Sequence, residues 1–140
     1  MQAPFKFSAR TRVGFSDTDA QGVVYYGRYM PYFDLARVEY HRALDMLQTE
    51  PAEREFVMRA MTVEYHAPAR FDDEIEVDVR VARIGRTSVT YEFAAYLAGD
   101  VLAVTATQTL VLVDLAAREP APVPDWFRER IKAFEGDDCD

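Results

Sequence analysis

The chain has 140 residues, 49% of them apolar and 13% aromatic, with a formal charge of −8; these values describe one folded domain with enough apolar content to bury a core. The acidic balance argues against nucleic acid or an anionic membrane surface as a partner. There is no leader-like basic start and no apolar run of spanning length, and the lone Cys139, set among acids, can form no internal disulfide, so a reducing cytoplasm is the expected address.

In chain order, Phe5 to Phe15 alternates Phe5, Phe7, Ala9, Thr11, Val13 and Phe15 against Lys6, Ser8, Arg10 and Arg12, which predicts a first strand. A tight polar loop follows, Ser16-Asp17-Thr18-Asp19-Ala20-Gln21-Gly22. Next comes a helix starting near Arg28 to Met30, where Pro31 falls in the first turn and has no intrahelical bond to lose. Tyr29, Phe33, Ala36, Tyr40, Ala43 and Leu47 recur at steps of four and three and form one stripe, which Tyr32, Leu35 and Leu44 widen. Asp34, Arg37, His41, Arg42 and Asp45 remain for a narrower polar side, with His41 expected in solvent. A helix this apolar needs to be wrapped.

After a surface crossing at residues 48–54, the chain reads as strands. Glu55 to His66 carries Val57, Met61, Val63 and Tyr65, and Pro68 to Asp73 turns. Glu74 to Ala82 alternates Ile75, Val77, Val79 and Val81 on one face. Gly85-Arg86 turns into Thr87 to Ala98, Gly99-Asp100 is a hairpin signal, and Val101 to Asp114 is the last strand. Ala116 to Pro124 reads as an extended linker, and Asp125 as the cap of a short helix, Trp126 to Phe134, that docks through Phe127, Ile131 and Phe134. A strand, a helix and four consecutive hairpin-linked strands argue for an α+β fold with an antiparallel sheet curled round one helix. Residues 1–134 are expected to form a single domain and 135–140 an acidic, disordered tail.

The start of the long helix presents free N–H groups and a positive dipole end to the Asp-rich loop. Asp17 and Asp19 are either turn-formers bonding nearby amides or, for one of them, a nucleophile or base whose neighbouring amides await an oxyanion. Spacing alone leaves both open.

Asp17-Thr18-Asp19, Gly22-Val23-Val24-Tyr25-Tyr26 and Tyr29, with Ala36-Arg37 and Glu39-Tyr40 in the helix, resemble the 4-hydroxybenzoyl-CoA thioesterase family. These are hotdog-fold acyl-CoA thioesterases that include the type associated with the Tol–Pal system. The resemblance continues through Val63-Glu64-Tyr65-His66-Ala67-Pro68-Ala69-Arg70, Asp73-Glu74-Ile75 and Ile84-Gly85-Arg86-Thr87-Ser88. It implies one long central helix wrapped by a curled antiparallel sheet of about five strands, plus a short C-terminal helix. The implied reaction is hydrolysis of an acyl-CoA to a carboxylic acid and CoA, with no metal or organic cofactor.

By the same resemblance Asp19 attacks the thioester carbonyl or activates a water. The Tyr26 amide at the helix start receives the oxyanion, and Gly22 lets the backbone pass close to the acyl group. Tyr26 stands where Tol–Pal-type members often carry histidine and is shared with the aromatic-acyl branch, so the acyl group stays open. Ser8, Ser16 and Ser88 lack a nucleophile elbow, and His41 and His66 lie in no ligand-spaced motif. Arg83 and Arg86, with Thr87 and Ser88, suit the coenzyme A phosphates, and a charged strand edge explains them nearly as well. Asp17 is read as structural, Glu39 as an arginine's partner, and His66 as the holder of a structural hydrogen bond.

The family also implies a homodimer or homotetramer with sheets joined edge to edge, Asp19 coming from one subunit and much of the CoA contact from the other. The alternatives are an acyl-carrier-protein thioesterase, a hotdog hydratase, disfavoured for want of a close Asp and His pair, and a non-catalytic acyl-binding subunit.

Overall fold

Alternating β-branched residues build the centre of the sheet. In the computed structural model, which describes residues 1–47 and 53–140, strand β3 (Glu74–Ile84) turns Ile75, Val77, Val79 and Val81 to one face, all fully buried. Each such side chain contributes roughly 1.5–3 kcal/mol by leaving water. Strands β4 (Ser88–Leu97) and β5 (Val101–Asp114) follow as antiparallel neighbours. Leu97 pairs with Val101, so the loop is the three residues Ala98, Gly99 and Asp100, one longer than the two-residue hairpin expected; Gly99 and Asp100 take φ of 76° and 58°, both left-handed.

Strand β1 (Phe7–Arg12) pairs with the other edge of β3, and β2 (Arg54–Tyr65) with the far edge of β5. The order is β1-β3-β4-β5-β2, with the short β6 (Glu119–Pro120) also on β5. The expectation of four consecutive hairpin-linked strands therefore fails at its first link. Both edges of β3 are taken by β1 and β4, so β2 lies across the sheet. The segment between them is held by other partners: Val24 N donates to Ala69 O at 2.8 Å and Val13 N to Asp73 O at 2.9 Å.

Strand β2 also carries a bulge. Met58 pairs with Leu110 and Ala60 with Thr109, which leaves Arg59 as an extra residue and shifts the side-chain phase. Phe56 and Met58 thus share a face with Met61, Val63 and Tyr65 through their partners Leu112, Leu110, Gln108, Ala106 and Val104, while Val57 faces away and is 43% exposed.

Helix α1 (Tyr29–Ala43) lies on the Val77 face of the sheet and buries Tyr29, Tyr32, Phe33, Ala36 and Tyr40. The Phe33 ring sits 5.0 Å from that of Phe93. A three-residue 3-10 turn, Tyr26–Arg28, leads into it. The stripe stops short of Leu47 because Asp45 takes φ of 56°. Asp45 N then donates to Arg42 O and Met46 N to His41 O, the paired bonds that close a helix through a left-handed residue.

Helix α2 (Asp125–Glu135) begins at Asp125 itself, with Pro124 in the capping position and no side-chain cap, so Asp125 acts as a first-turn acid and not as the cap. The expected linker before it is partly strand, as β6. The tail is ordered, contrary to expectation. Gly136 ends α2 at φ of 66°, Cys139 is buried, and Asp140 N donates to Ala82 O while Ile84 N donates to Asp140 O, both at 2.9 Å. Pairing of β1 ends at Val79, and the tail completes the ladder that β1 leaves open. Among the described residues, no helix is long and apolar enough to cross a membrane.

Candidate active site

The loop between β1 and α1 folds on Asp17. Its Oδ2 accepts from Gly14 N at 3.0 Å and from Tyr32 Oη at 2.7 Å, and its Oδ1 faces the Arg28 guanidinium at 3.2 Å. Burial alone would raise this carboxyl. The hydrogen bonds from Tyr32, the Gly14 amide and Arg28, with the Arg28 charge, outweigh it and hold the pKa below the usual carboxylate value. The structural reading of Asp17 fits these contacts.

Asp19, two residues on, is engaged differently. Its Oδ1 accepts from Gln21 N at 2.8 Å, and its backbone is pinned by Asp19 N to Val23 O and Gly22 N to Asp19 O, both 3.0 Å. Gly22 reverses the chain at φ of 78°, with open space where a Cβ would stand. Its requirement is the left-handed backbone and not a close approach within this protomer. The chain returns through the Thr18–Val24 bridge and enters the Tyr26–Arg28 turn. As the first residue of that turn, Tyr26 has an N–H with no acceptor inside the helix, and none is present among the described residues. Asp19, Gly22 and the Tyr26 amide thus belong to one hydrogen-bonded loop at the positive end of α1.

Beside the loop lies a groove of about 280 Å³, walled by Val23, Val24, Tyr26, Tyr29, Tyr65 and His66. Tyr65 Oη donates to Tyr26 O at 2.9 Å and so ties strand β2 to the turn that presents the amide. His66 Nε2 meets Thr105 Oγ1 at 3.0 Å, as a structural histidine would. Glu39 faces Arg42 at 3.4 Å on the outside of α1.

The expected phosphate residues lie elsewhere in the protomer. Arg83 and Arg86 project from the exposed hairpin at the opposite end of β3, roughly 33 Å along the strand from Glu74 at about 3.3 Å per residue. The Arg128 guanidinium in α2 donates to the Gly85 carbonyl at 2.5 Å, fixing that hairpin. A Cβ at Gly85 would meet Ser88 Oγ at 2.7 Å, so a larger residue there would have to turn the serine hydroxyl aside. One protomer does not bring this hairpin and Asp19 together.

His41 corrects the sequence reading. Its Nε2 lies 2.6 Å from Tyr91 Oη, its ring stacks on that of Tyr91, and burial, aided by the Arg37 charge, pulls its pKa down to about 4. Helix α2 covers this side of α1, bringing Phe127 within 6.0 Å of the imidazole. Arg37, from the same polar side of the helix, reaches Gln108 Oε1 at 2.7 Å. A cavity of about 600 Å³ opens here between the end of α1, the start of β2 and α2, away from the Asp19 loop. Neither Tyr65 nor the Tyr32 anchor of Asp17 was legible as part of the site. Their bonds span 39 and 15 residues, and both tyrosines read as ordinary core positions.

The comparisons agree with this architecture. The profile of the thioesterase-like superfamily matches residues 13–131. An acyl-CoA thioester hydrolase, YbgC, from Escherichia coli is 36% identical over 117 residues, covering 81% of this chain and 86% of the relative. An acyl-CoA thioesterase YbgC from Haemophilus influenzae is 32% identical over 121 residues, covering 84% and 88%. Among solved structures, a thioesterase from Thermus thermophilus complexed with coenzyme A and zinc superposes with a TM-score of 0.83 at 32% identity, covering 96% of this chain and 98% of that one. A match of this extent, on a curled sheet wrapped round one long helix, makes the chain a hotdog-fold thioester hydrolase that belongs to the thioesterase-like superfamily.

Proposed function

We propose that the chain hydrolyses acyl-CoA, with Asp19 as the reacting carboxylate and the Tyr26 amide as oxyanion donor. The contrast between the two loop carboxylates carries the assignment. Asp17 is held by Gly14, Tyr32 and Arg28, whereas among the described residues Asp19 takes a single side-chain hydrogen bond, from Gln21 N, and sits on the loop that ends at the unpaired Tyr26 amide. The thioester carbonyl accepts from Tyr26 N–H, which strengthens its hold as the oxygen turns negative. Asp19 then attacks the carbonyl carbon, expelling the CoA thiolate and leaving a mixed anhydride that water opens, or takes a proton from a water that attacks instead.

The working unit is a dimer joined through β2. That twelve-residue edge strand has no partner on its outer side among the described residues and exposes Val57, Met58, Met61 and Tyr65. Antiparallel pairing with a second copy brings its Arg54 end toward the partner's Glu64 end, opposite charges across the seam. It also carries the partner's Arg83 and Arg86 hairpin toward this Asp19, where the guanidinium groups bind CoA phosphates beside Thr87 and Ser88. An unpaired, buried Cys139 fits the cytoplasm.

The test is free-thiol release from a panel of acyl-CoAs by wild type and Asp19→Asn. Turnover by wild type and a loss of roughly a thousandfold in the variant support the assignment. Equal rates remove Asp19 from the chemistry. Single-turnover hydrolysis in 18O-water separates the routes, because only the anhydride route can leave the label in Asp19.

A further inference from the structure

The face of the sheet turned away from α1 carries a carboxylate that nothing satisfies. Asp78 on β3 alternates with the inward Val77 and Val79, so it points outward. It is nevertheless fully buried, and neither of its oxygens has a hydrogen-bond partner among the described residues. The cations around it are engaged elsewhere. Arg10 on β1 lies 3.7 Å from both Glu74 and Glu76, and Lys6 reaches Asp138 Oδ2 in the tail at 3.0 Å. Arg80 on β3 gives one Nη to Glu92 Oε1 of β4 at 2.5 Å and the other to the Asp138 carbonyl at 2.8 Å, while its Nε bonds to nothing, Asp78 included. Burial, and behind it the Glu76 charge, push the Asp78 pKa up to about 6 against the pull of the Met1 amino group.

Residues 1–6 supply the cover. Asp78 stands between Ser8 and Ala94, its register partners on β1 and β4. Met1 and Gln2 line a hollow with Glu76, Tyr96 and Asp100 on one side of that row, and Phe5 lines a groove with Glu92 and Ala94 on the other. The segment therefore crosses the outer face over Asp78, and even the small Ala94 is only 4% exposed there. Few bonds hold the segment down: Phe5 N donates to Gln2 O at 3.0 Å, and Lys6 donates to Asp138 and to the Glu135 carbonyl. An unpaired charge opposes any cover that keeps water from it. A proton turns Asp78 from an acceptor into a donor, and the neighbouring Glu76 carboxylate is then its acceptor.

We propose that residues 1–6 form a strap whose closure over the outer face of the sheet is governed by the proton on Asp78. With the proton on, Asp78 bonds to Glu76 and the strap lies flat. With it off, the strap lifts, water reaches the carboxylate, and the outer face around Glu92 and Ala94 is uncovered. A carboxyl whose pKa is raised in the closed form favours that form below the raised value, and the preference is lost as pH climbs through it. Between an ordinary 3.8 and about 6 when covered, the closed-to-open ratio is expected to be roughly tenfold greater at about pH 5 than at about pH 7.5. His41 works in the opposite sense, because burial lowers its pKa and acid loosens the fold around it. General loosening in acid therefore cannot imitate a strap that tightens.

Hydrogen exchange at the Phe5 amide of the full chain reads the open fraction, since the lone turn from Gln2 to Phe5 gives no lasting protection once lifted from the sheet. Each rate is divided by that of the free peptide of residues 1–12 at the same pH. Protection is expected to be roughly tenfold greater at about pH 5 than at about pH 7.5. In Asp78→Asn, which is neutral and keeps a donor for Glu76, it should stay high at both. Wild-type protection that ignores pH overturns the proposal, and so does an undiminished pH dependence in Asp78→Asn.

A second measurement needs no variant, so a misfolded one does not decide the outcome. The side-chain carboxyl carbon of Asp78 is followed by 13C NMR in the wild type, alongside Phe5 exchange. A shared midpoint near 6 supports the strap. A midpoint near the ordinary 3.8 overturns it, as does titration of Asp78 with no matching change at Phe5, which is the behaviour of a segment held by packing alone.

Discussion

At the N-terminal end of α1 the backbone amide of Tyr26 and much of the Asp19 carboxylate are left without partners among the described residues, while Asp17 close by is bonded on both oxygens. At the C-terminal end the fully buried Tyr40 donates to Glu135 Oε2 at 2.6 Å, the same oxygen accepts from Val81 N at 3.0 Å, and His41 is closed against Tyr91. One end of the helix keeps its polar groups available and the other uses them to join α1, α2 and β3. A buried donor without a partner costs about 1–3 kcal/mol, and the open Tyr26 amide sits on a loop where substrate can fill it, whereas Glu135 keeps one oxygen, Oε1, buried without a partner among the described residues. The position of each polar group, more than its type, separates chemistry from architecture here.

The sharpest way to break this comparison is Glu135→Ala. It leaves the Tyr40 hydroxyl and the Val81 amide buried without an acceptor, and stability should fall by about 4 kcal/mol, seen as a drop in Tm of about 10 °C. The kcat at a temperature where the variant is folded should change little, since Asp19 lies at the other end.

Acid titration probes the same end. His41 has an ordinary pKa of 6.5 when unfolded and about 4 when folded. Above pH 6.5 neither state binds the proton. Between 6.5 and 4 the unfolded chain takes it up and the folded chain does not, so stability is lost as pH falls through that window, by up to about 3 kcal/mol. Denaturant melts of wild type against His41→Gln should show the slope flatten in the variant; an unchanged slope would place the titration elsewhere.

The smallest effect is expected at the chemical end. Asp17→Asn keeps an acceptor for Tyr32 but loses the Arg28 charge pair, so stability should fall by about 1–2 kcal/mol. Because Asp17 also shapes the loop that carries Asp19, kcat should fall roughly tenfold with KM less affected. A loss as large as that of Asp19→Asn would make the two carboxylates one catalytic unit.

The sequence pointed to some of this and not to the rest, for physical reasons. Strands β3 to β5 alternate cleanly because one face is buried along their whole length, and β5 matches its predicted bounds of Val101–Asp114. The Asp19 loop, Gly22 and Tyr26 are contiguous, so their association is visible in order alone. His41 reads as solvated because helix periodicity cannot see a second helix arriving 86 residues later to cover its polar side. The tail reads as acidic and loose, yet its order comes from β3 edge groups that no local pattern reveals. Residues 48–52 of the expected surface crossing lie outside the described residues.

The extra residue at Arg59 bears on how this chain tolerates changes in length. Pairing on either side of it is regular, with Met58 opposite Leu110 and Ala60 opposite Thr109. Deleting Arg59 joins two ladders already in step, and every side chain of β2 keeps its present face. Deleting Thr62 instead pulls one flank of the strand out of step with β5 and turns its inward residues outward. Shortening by one residue is therefore mild at Arg59 and severe three positions later, although both sites lie in the same exposed strand. A deletion scan along β2 would find the bulge without any structure in hand.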